Sequence, residues 1–160
     1  MRDRSGFTIV ELLIVIVVIG ILAAISIVAY NGVREKAELA ELKQNLSSLN
    51  KAVLMYHAEN GSYPVSTSWR GNNQVVDDSF IPGLAPQYIA TTPQVKPHGA
   101  SRPTFLYLSN GTDYKLIYIV DSGEAGSTGL PQSHRDNNPL LDPARPSRAW
   151  GYWSSGYRTQ

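Results

Sequence analysis

From Leu12 to Ile25 the chain reads LLIVIVVIGILAAI, fourteen residues without a charge. Around that run, the 23 residues from Phe7 to Ala29 have only Thr8, Glu11 and Ser26 as polar side chains. Coiled as an α-helix they extend about 35 Å at ~1.5 Å per residue, more than the ~30 Å hydrocarbon thickness of a bilayer. Sixteen of the 23 are Leu, Ile, Val or Phe. At roughly 0.3–0.6 kcal/mol apiece they favour insertion by about 5–10 kcal/mol as an upper bound, whereas one carboxylate in the same setting costs about 2.5–3.5 kcal/mol. Insertion prevails over Glu11.

Arg2 and Arg4 stand before the run, which directs the N-terminus to the cytoplasm and the remainder of the chain outward. A removable secretory signal is one simple account of such a segment, helped by small residues such as Ala23, Ala24 and Ala29 near its end. A plain signal anchor is another. Neither explains a carboxylate placed just inside the segment, which is expensive to keep and marks a functional position by default.

The order Gly6-Phe7-Thr8-Ile9-Val10-Glu11-Leu12-Leu13-Ile14-Val15, continued by Ile19-Gly20-Ile21-Leu22-Ala23-Ala24-Ile25, resembles the class III signal and first helix of type IV pilins and pseudopilins. The resemblance runs without gaps from Gly6 to about Tyr30. It implies that a membrane-embedded prepilin peptidase cuts between Gly6 and Phe7, and that Phe7 becomes an N-methylated N-terminus. It also implies that Glu11, one helical turn along, pairs with the Phe7 amine of a neighbouring subunit during assembly. Two charges that are each costly in a low-dielectric setting favour one another's company. The implied partners are copies of the chain itself in a filament, the peptidase, the membrane during biogenesis and the pilus assembly machinery. One departure bears on the filament: many pilins carry a proline where Val28 stands, and a proline would weaken the helix there. Gly20 is a weaker candidate for such a break, and close helix packing explains it more simply.

No proline precedes residue 61, so the helix can continue beyond Tyr30. Leu39, Leu42, Leu46, Leu49, Val53 and Tyr56 recur every three or four residues, the stripe of a helix packed on one face. Asn60-Gly61 with Pro64 beyond is a helix stop. The expected helix has about 50 residues and a length of roughly 75 Å. Tyr56 to Pro64 (YHAENGSYP) is also similar to the helix end of pseudopilins and many pilins. Residues 65–103 read as a loop region with a short helix near Leu84–Ile89. Thr104–Ser109 and Asp113–Val120 read as strands joined by a hairpin at Asn110-Gly111, and Arg148–Trp153 as a third strand. The expected class is α+β and pilin-like, one long helix on a small antiparallel sheet. It divides into a leader at 1–6, a transmembrane and assembly helix at 7–29, the outer half of the helix at 30–60 and a head at 61–160.

The other candidate sites are weaker. His57 reads as the polar end of the helix, and His98 and His134 as loop residues outside any metal or nucleophile motif. The resemblance extends to major pseudopilins that bind calcium after the hairpin, where Asp121, Glu124, Asp136 and Asp142 stand; their spacing does not match, and solvated loop carboxylates are the commoner reading. Asn45, Asn60 and Asn110 open formal glycosylation sequons, but helix end and hairpin turn explain the last two. Trp150, Tyr152 and Trp153 near Arg145, Arg148 and Arg158 could stack on a ligand; closing a small core is the commoner use.

The absence of cysteine excludes a disulfide framework and cysteine-ligated metals. Fourteen basic against 13 acidic residues give no electrostatic reason for a nucleic-acid partner. No catalytic constellation is present, no cofactor is called for, and the chain reads as a structural protein rather than an enzyme. The expected path is an inner-membrane precursor and then an extracellular or surface filament. A type IV pilus subunit, a type II secretion pseudopilin and a DNA-uptake subunit share these motifs. The competing class is a tethered extracytoplasmic binding domain that never polymerises.

Overall fold

The computed structural model describes residues 7–71, 80–95, 103–120 and 129–159. Its contacts divide the chain into two compact units, Met1–Glu38 and Leu39–Gln160. Helix α1 (Ile9–Asn60) supplies the described helical residues of the first unit and opens the second. It is helical without interruption through Gly20 and Val28. At its end Gly61 takes φ +71° and its amide donates to His57 O at 2.9 Å, a left-handed stop that a side chain would strain.

Within the second unit, strands β1 (Ser66–Gly71), β2 (Pro103–Ser109), β3 (Tyr114–Val120) and β4 (Ala149–Trp153) form an antiparallel meander in that spatial order. The β2–β3 hairpin turns where Asn110-Gly111 marks it. Asn110 Oδ1 accepts from the amides of Thr112 and Asp113 at 2.9 and 2.8 Å, the local capping that favours Asn in turns. All seven residues of β3 are buried, because the sheet is covered on both faces. Leu116 and Tyr118 face one core with Leu46, Leu49 and Val53 of α1. Ile117 and Ile119 face a smaller cluster with Ala149, Trp69 and Leu106. The long helix packed on a small antiparallel sheet is the α+β arrangement expected from the stripe.

Two readings of the loop region need correction. Strand β1 lies inside residues 65–103. Its sequence STSWRG has little strand propensity, and it forms as a bulged edge on β2 with Trp69 packed on the smaller cluster. Around Leu84–Ile89 there are turns rather than a helix. One α-turn closes from Tyr88 N to Leu84 O at 2.9 Å, and Pro86 has no N–H with which to extend it. The chain also forms a four-residue helix α2 (Gln132–Arg135) in the stretch read as loop.

Candidate functional site

Gly6, Arg2 and Arg4 lie outside the described residues, which begin at Phe7. Phe7 itself is 84% exposed. Thr8 caps the first turn of α1. Its amide and its hydroxyl both donate to Glu11 Oε2, at 2.8 and 2.7 Å, and its hydroxyl oxygen accepts from the Glu11 amide at 3.2 Å. This is a reciprocal capping box, which satisfies amides that a helix start otherwise leaves open. A carboxylate has about four acceptor positions, so two bonds to one oxygen leave Glu11 able to take a further cation. Thr8 is a role that the sequence reading above leaves out, although Thr-x-x-Glu before an apolar run is its recognised signal.

Every described residue from 7 to 37 is exposed, and even Val15 keeps 47% of its surface open. Large contiguous apolar surface on a chain by itself marks a surface that meets a membrane or another protein. The apolar part of α1 is long and apolar enough to cross a membrane. Glu11 is the acidic residue in its first turn.

Residues 1–27 match the family model of the prokaryotic N-terminal methylation motif. A type II secretion system core protein G of Klebsiella pneumoniae is 28% identical over 85% of this chain and 94% of its own length. The core protein G of Dickeya chrysanthemi is 30% identical, over 84% of this chain and 85% of its own length. The chain belongs to the type II secretion system core protein G family. A fimbrial protein, EcpC of Eikenella corrodens, is 32% identical over 49% of this chain and 51% of its own. No solved structure matches. The core protein G family lies among the pilins and pseudopilins, which are structural subunits and not enzymes. Its apolar N-terminal helix fits a membrane-anchored precursor.

In the head, the remaining candidates are mostly structural. Asp142 is not a solvated loop carboxylate as expected: its side chain is fully buried against the fully buried Lys115 ammonium at 2.8 Å. Arg145 donates to its other oxygen at 3.3 Å, and the Ala144 amide donates to Oδ1 at 3.0 Å. Lys115 also lies 5.6 Å from the centre of the Trp153 ring. Buried charges persist when paired and hydrogen-bonded in this way. The signal was a lone lysine in the apolar strand YKLIYIV, but its partner 27 residues away was not legible. Asp136 is exposed and is held by Gln132, while Asp121, Glu124 and His98 fall outside the described residues. Among the described residues no three His, Asp or Glu side chains gather as metal ligands.

His57 stacks on Tyr63, with ring centres 4.2 Å apart. His134, read as a loop residue, is buried in α2, with its ring centre 6.2 Å from that of Tyr118. Trp150 is fully buried in the main core and Tyr152 packs against it, so these two of the C-terminal aromatics close the core. Of the sequon asparagines, Asn60 donates to Tyr56 O and Tyr88 Oη and Asn110 caps the hairpin.

Proposed function

We propose that this chain is the repeating structural subunit of a pilus-like filament of the type II secretion kind. In this reading it is made as a single-pass precursor with its N-terminus in the cytoplasm. Prepilin peptidase removes residues 1–6, Phe7 is N-methylated, and residues 7–29 pass from the membrane into the filament core. The single observation that carries the reading is an apolar helix, exposed on all sides, with a carboxylate one turn from the new N-terminus. Leaving the bilayer is tolerable when the apolar surface is covered by identical helices and each Glu11 meets a Phe7 amine. The core protein G relatives cover nearly the whole chain and favour the secretion filament. The shorter match to a fimbrial protein keeps a surface pilus as the second reading.

Mass spectrometry of the mature protein, with electron microscopy of sheared material, tests this. The expected result is a chain that starts at methylated Phe7 and is recovered in filaments. An intact Met1 in the mature protein would point instead to a tethered domain. Gly6→Leu should block cleavage, since the residue before the cut must be small; normal loss of residues 1–6 from that variant refutes the site.

A further inference from the structure

No charged residue falls between Glu11 and Arg34, and α1 runs through the whole of this stretch. At ~1.5 Å per residue the two charges stand about 35 Å apart along the axis. A hydrocarbon core of ~30 Å takes up about 20 residues of helix. Two placements bury such a length. One begins at Phe7 and ends at Ser26, which sinks Glu11 about 6 Å into the core and leaves Ile27, Val28 and Ala29 outside. The other begins at Leu12 and ends at Asn31. The first gains Phe7, Ile9 and Val10, and the second gains Ile27, Val28 and Ala29. The apolar gains nearly cancel, so the carboxylate decides, because a charge in hydrocarbon costs more than any one of these side chains contributes.

Three features of the helix fit the second placement. α1 starts at Ile9, and a helix start leaves its first amides to partners outside the helix ladder. The capping box serves the amides of Thr8 and Glu11, and hydrocarbon offers no acceptor to the rest. At the far end, Tyr30 is 68% exposed. It stands about 29 Å beyond Glu11, where a ring with a polar tip suits the boundary with water. Between them Ser26 carries the lone hydroxyl, and it donates to Leu22 O at 2.7 Å, so it can lie in hydrocarbon. We propose that the precursor crosses the hydrocarbon with residues 12–31, that Thr8 and Glu11 lie in the headgroup layer of the cytoplasmic leaflet, and that Tyr30 marks the opposite boundary. This rests on the membrane-anchored reading above and sharpens it: Glu11 meets water and lipid headgroups until a neighbouring subunit replaces them.

The chain has no cysteine, so single cysteines report depth without interference. Val10→Cys, Val18→Cys, Val28→Cys and Val33→Cys are introduced one at a time into the full, uncleaved chain. Each variant is reconstituted without assembly machinery in phosphatidylethanolamine–phosphatidylglycerol vesicles and treated with a charged maleimide on both sides. Val10→Cys and Val33→Cys should react within about tenfold of one another, and Val18→Cys and Val28→Cys roughly a hundredfold more slowly, since the attacking thiolate is an anion in hydrocarbon. Where Val10→Cys or Val28→Cys fails to insert, Ile9→Cys and Ile27→Cys repeat the comparison. A protected Val10→Cys, or a Val28→Cys as reactive as Val33→Cys, overturns the placement and leaves the membrane anchor standing. A Val18→Cys as reactive as Val33→Cys overturns the anchor itself.

Discussion

Helix α1 holds two regions that are alike in secondary structure and opposite in chemistry. Over residues 9–38 the apolar side chains point in every direction and stay open. Over residues 39–60 they keep to one stripe, and Leu46, Leu49 and Val53 are fully buried in the main core. The stripe finds its partner within the same chain. The all-round apolar stretch cannot, because one small head offers one face, so its partner is a membrane or other helices. The difference separates the residues that stabilise the subunit from those that the filament reading assigns to assembly.

The largest expected effect lies in the first region. Glu11→Ala should leave insertion and cleavage intact, since it makes the segment more apolar. Filament recovery should nevertheless fall to background, because the neighbour's Phe7 amine is left unpaired among apolar helices. Glu11→Gln keeps the shape without the charge and should fail similarly. Wild-type filament levels from both variants would sink the electrostatic account.

In the second region, Lys115→Ala in a soluble head beginning at Val33 removes the buried ammonium from Asp142 and leaves it to Arg145 and the Ala144 amide. Denaturant unfolding should register a loss of at most about 3–5 kcal/mol, and an unmoved midpoint would mean that these remaining partners or water replace the ammonium. Leu49→Ala should cost about 2–5 kcal/mol in the same head by leaving a cavity between helix and sheet. A negligible change there would erase the contrast between the two halves of α1, which the contrasting Ile16→Ala sharpens: in the full chain it should leave the head's unfolding midpoint where it was.

The smallest effect concerns alkaline pH. Burial pushes the Tyr114 phenol, which donates to Asn50 Oδ1 at 2.7 Å, up to about 12 from its ordinary 10.0, and burial also raises the Tyr107 phenol. A group whose folded value is raised contributes stability that is complete below its unfolded value and lost as pH climbs through the folded one. The head's melting midpoint should therefore fall between pH 10 and about 12, with the tyrosinate absorbance of these two residues rising only as it unfolds. Tyr114→Phe should flatten part of that slope. Ionisation of all tyrosines near pH 10 in the intact head would show that the phenols are open to water.

Much of the fold was legible because its signals are local. The stripe from Leu39 to Tyr56, the Asn60-Gly61 stop and the Asn110-Gly111 hairpin each follow from the conformational preferences of neighbouring residues, and all three occur as read. The readings that failed depended on distant partners. β1 exists because β2 offers it an edge, not because STSWRG favours a strand. Asp142 is buried because Lys115 waits beneath it.

What the sequence by itself determined is the apolar segment with its one carboxylate, the kinship with pilins and the helix-then-sheet order, since charge, hydropathy and spacing are properties of the chain. Tertiary structure alone decided which charges are buried and why residue 151 is glycine. A Cβ there would run into Leu116 O and Ile117 Cα. Those outcomes depend on which surfaces meet when the chain closes on itself, and burial converts each meeting into a large penalty or gain because water no longer screens it.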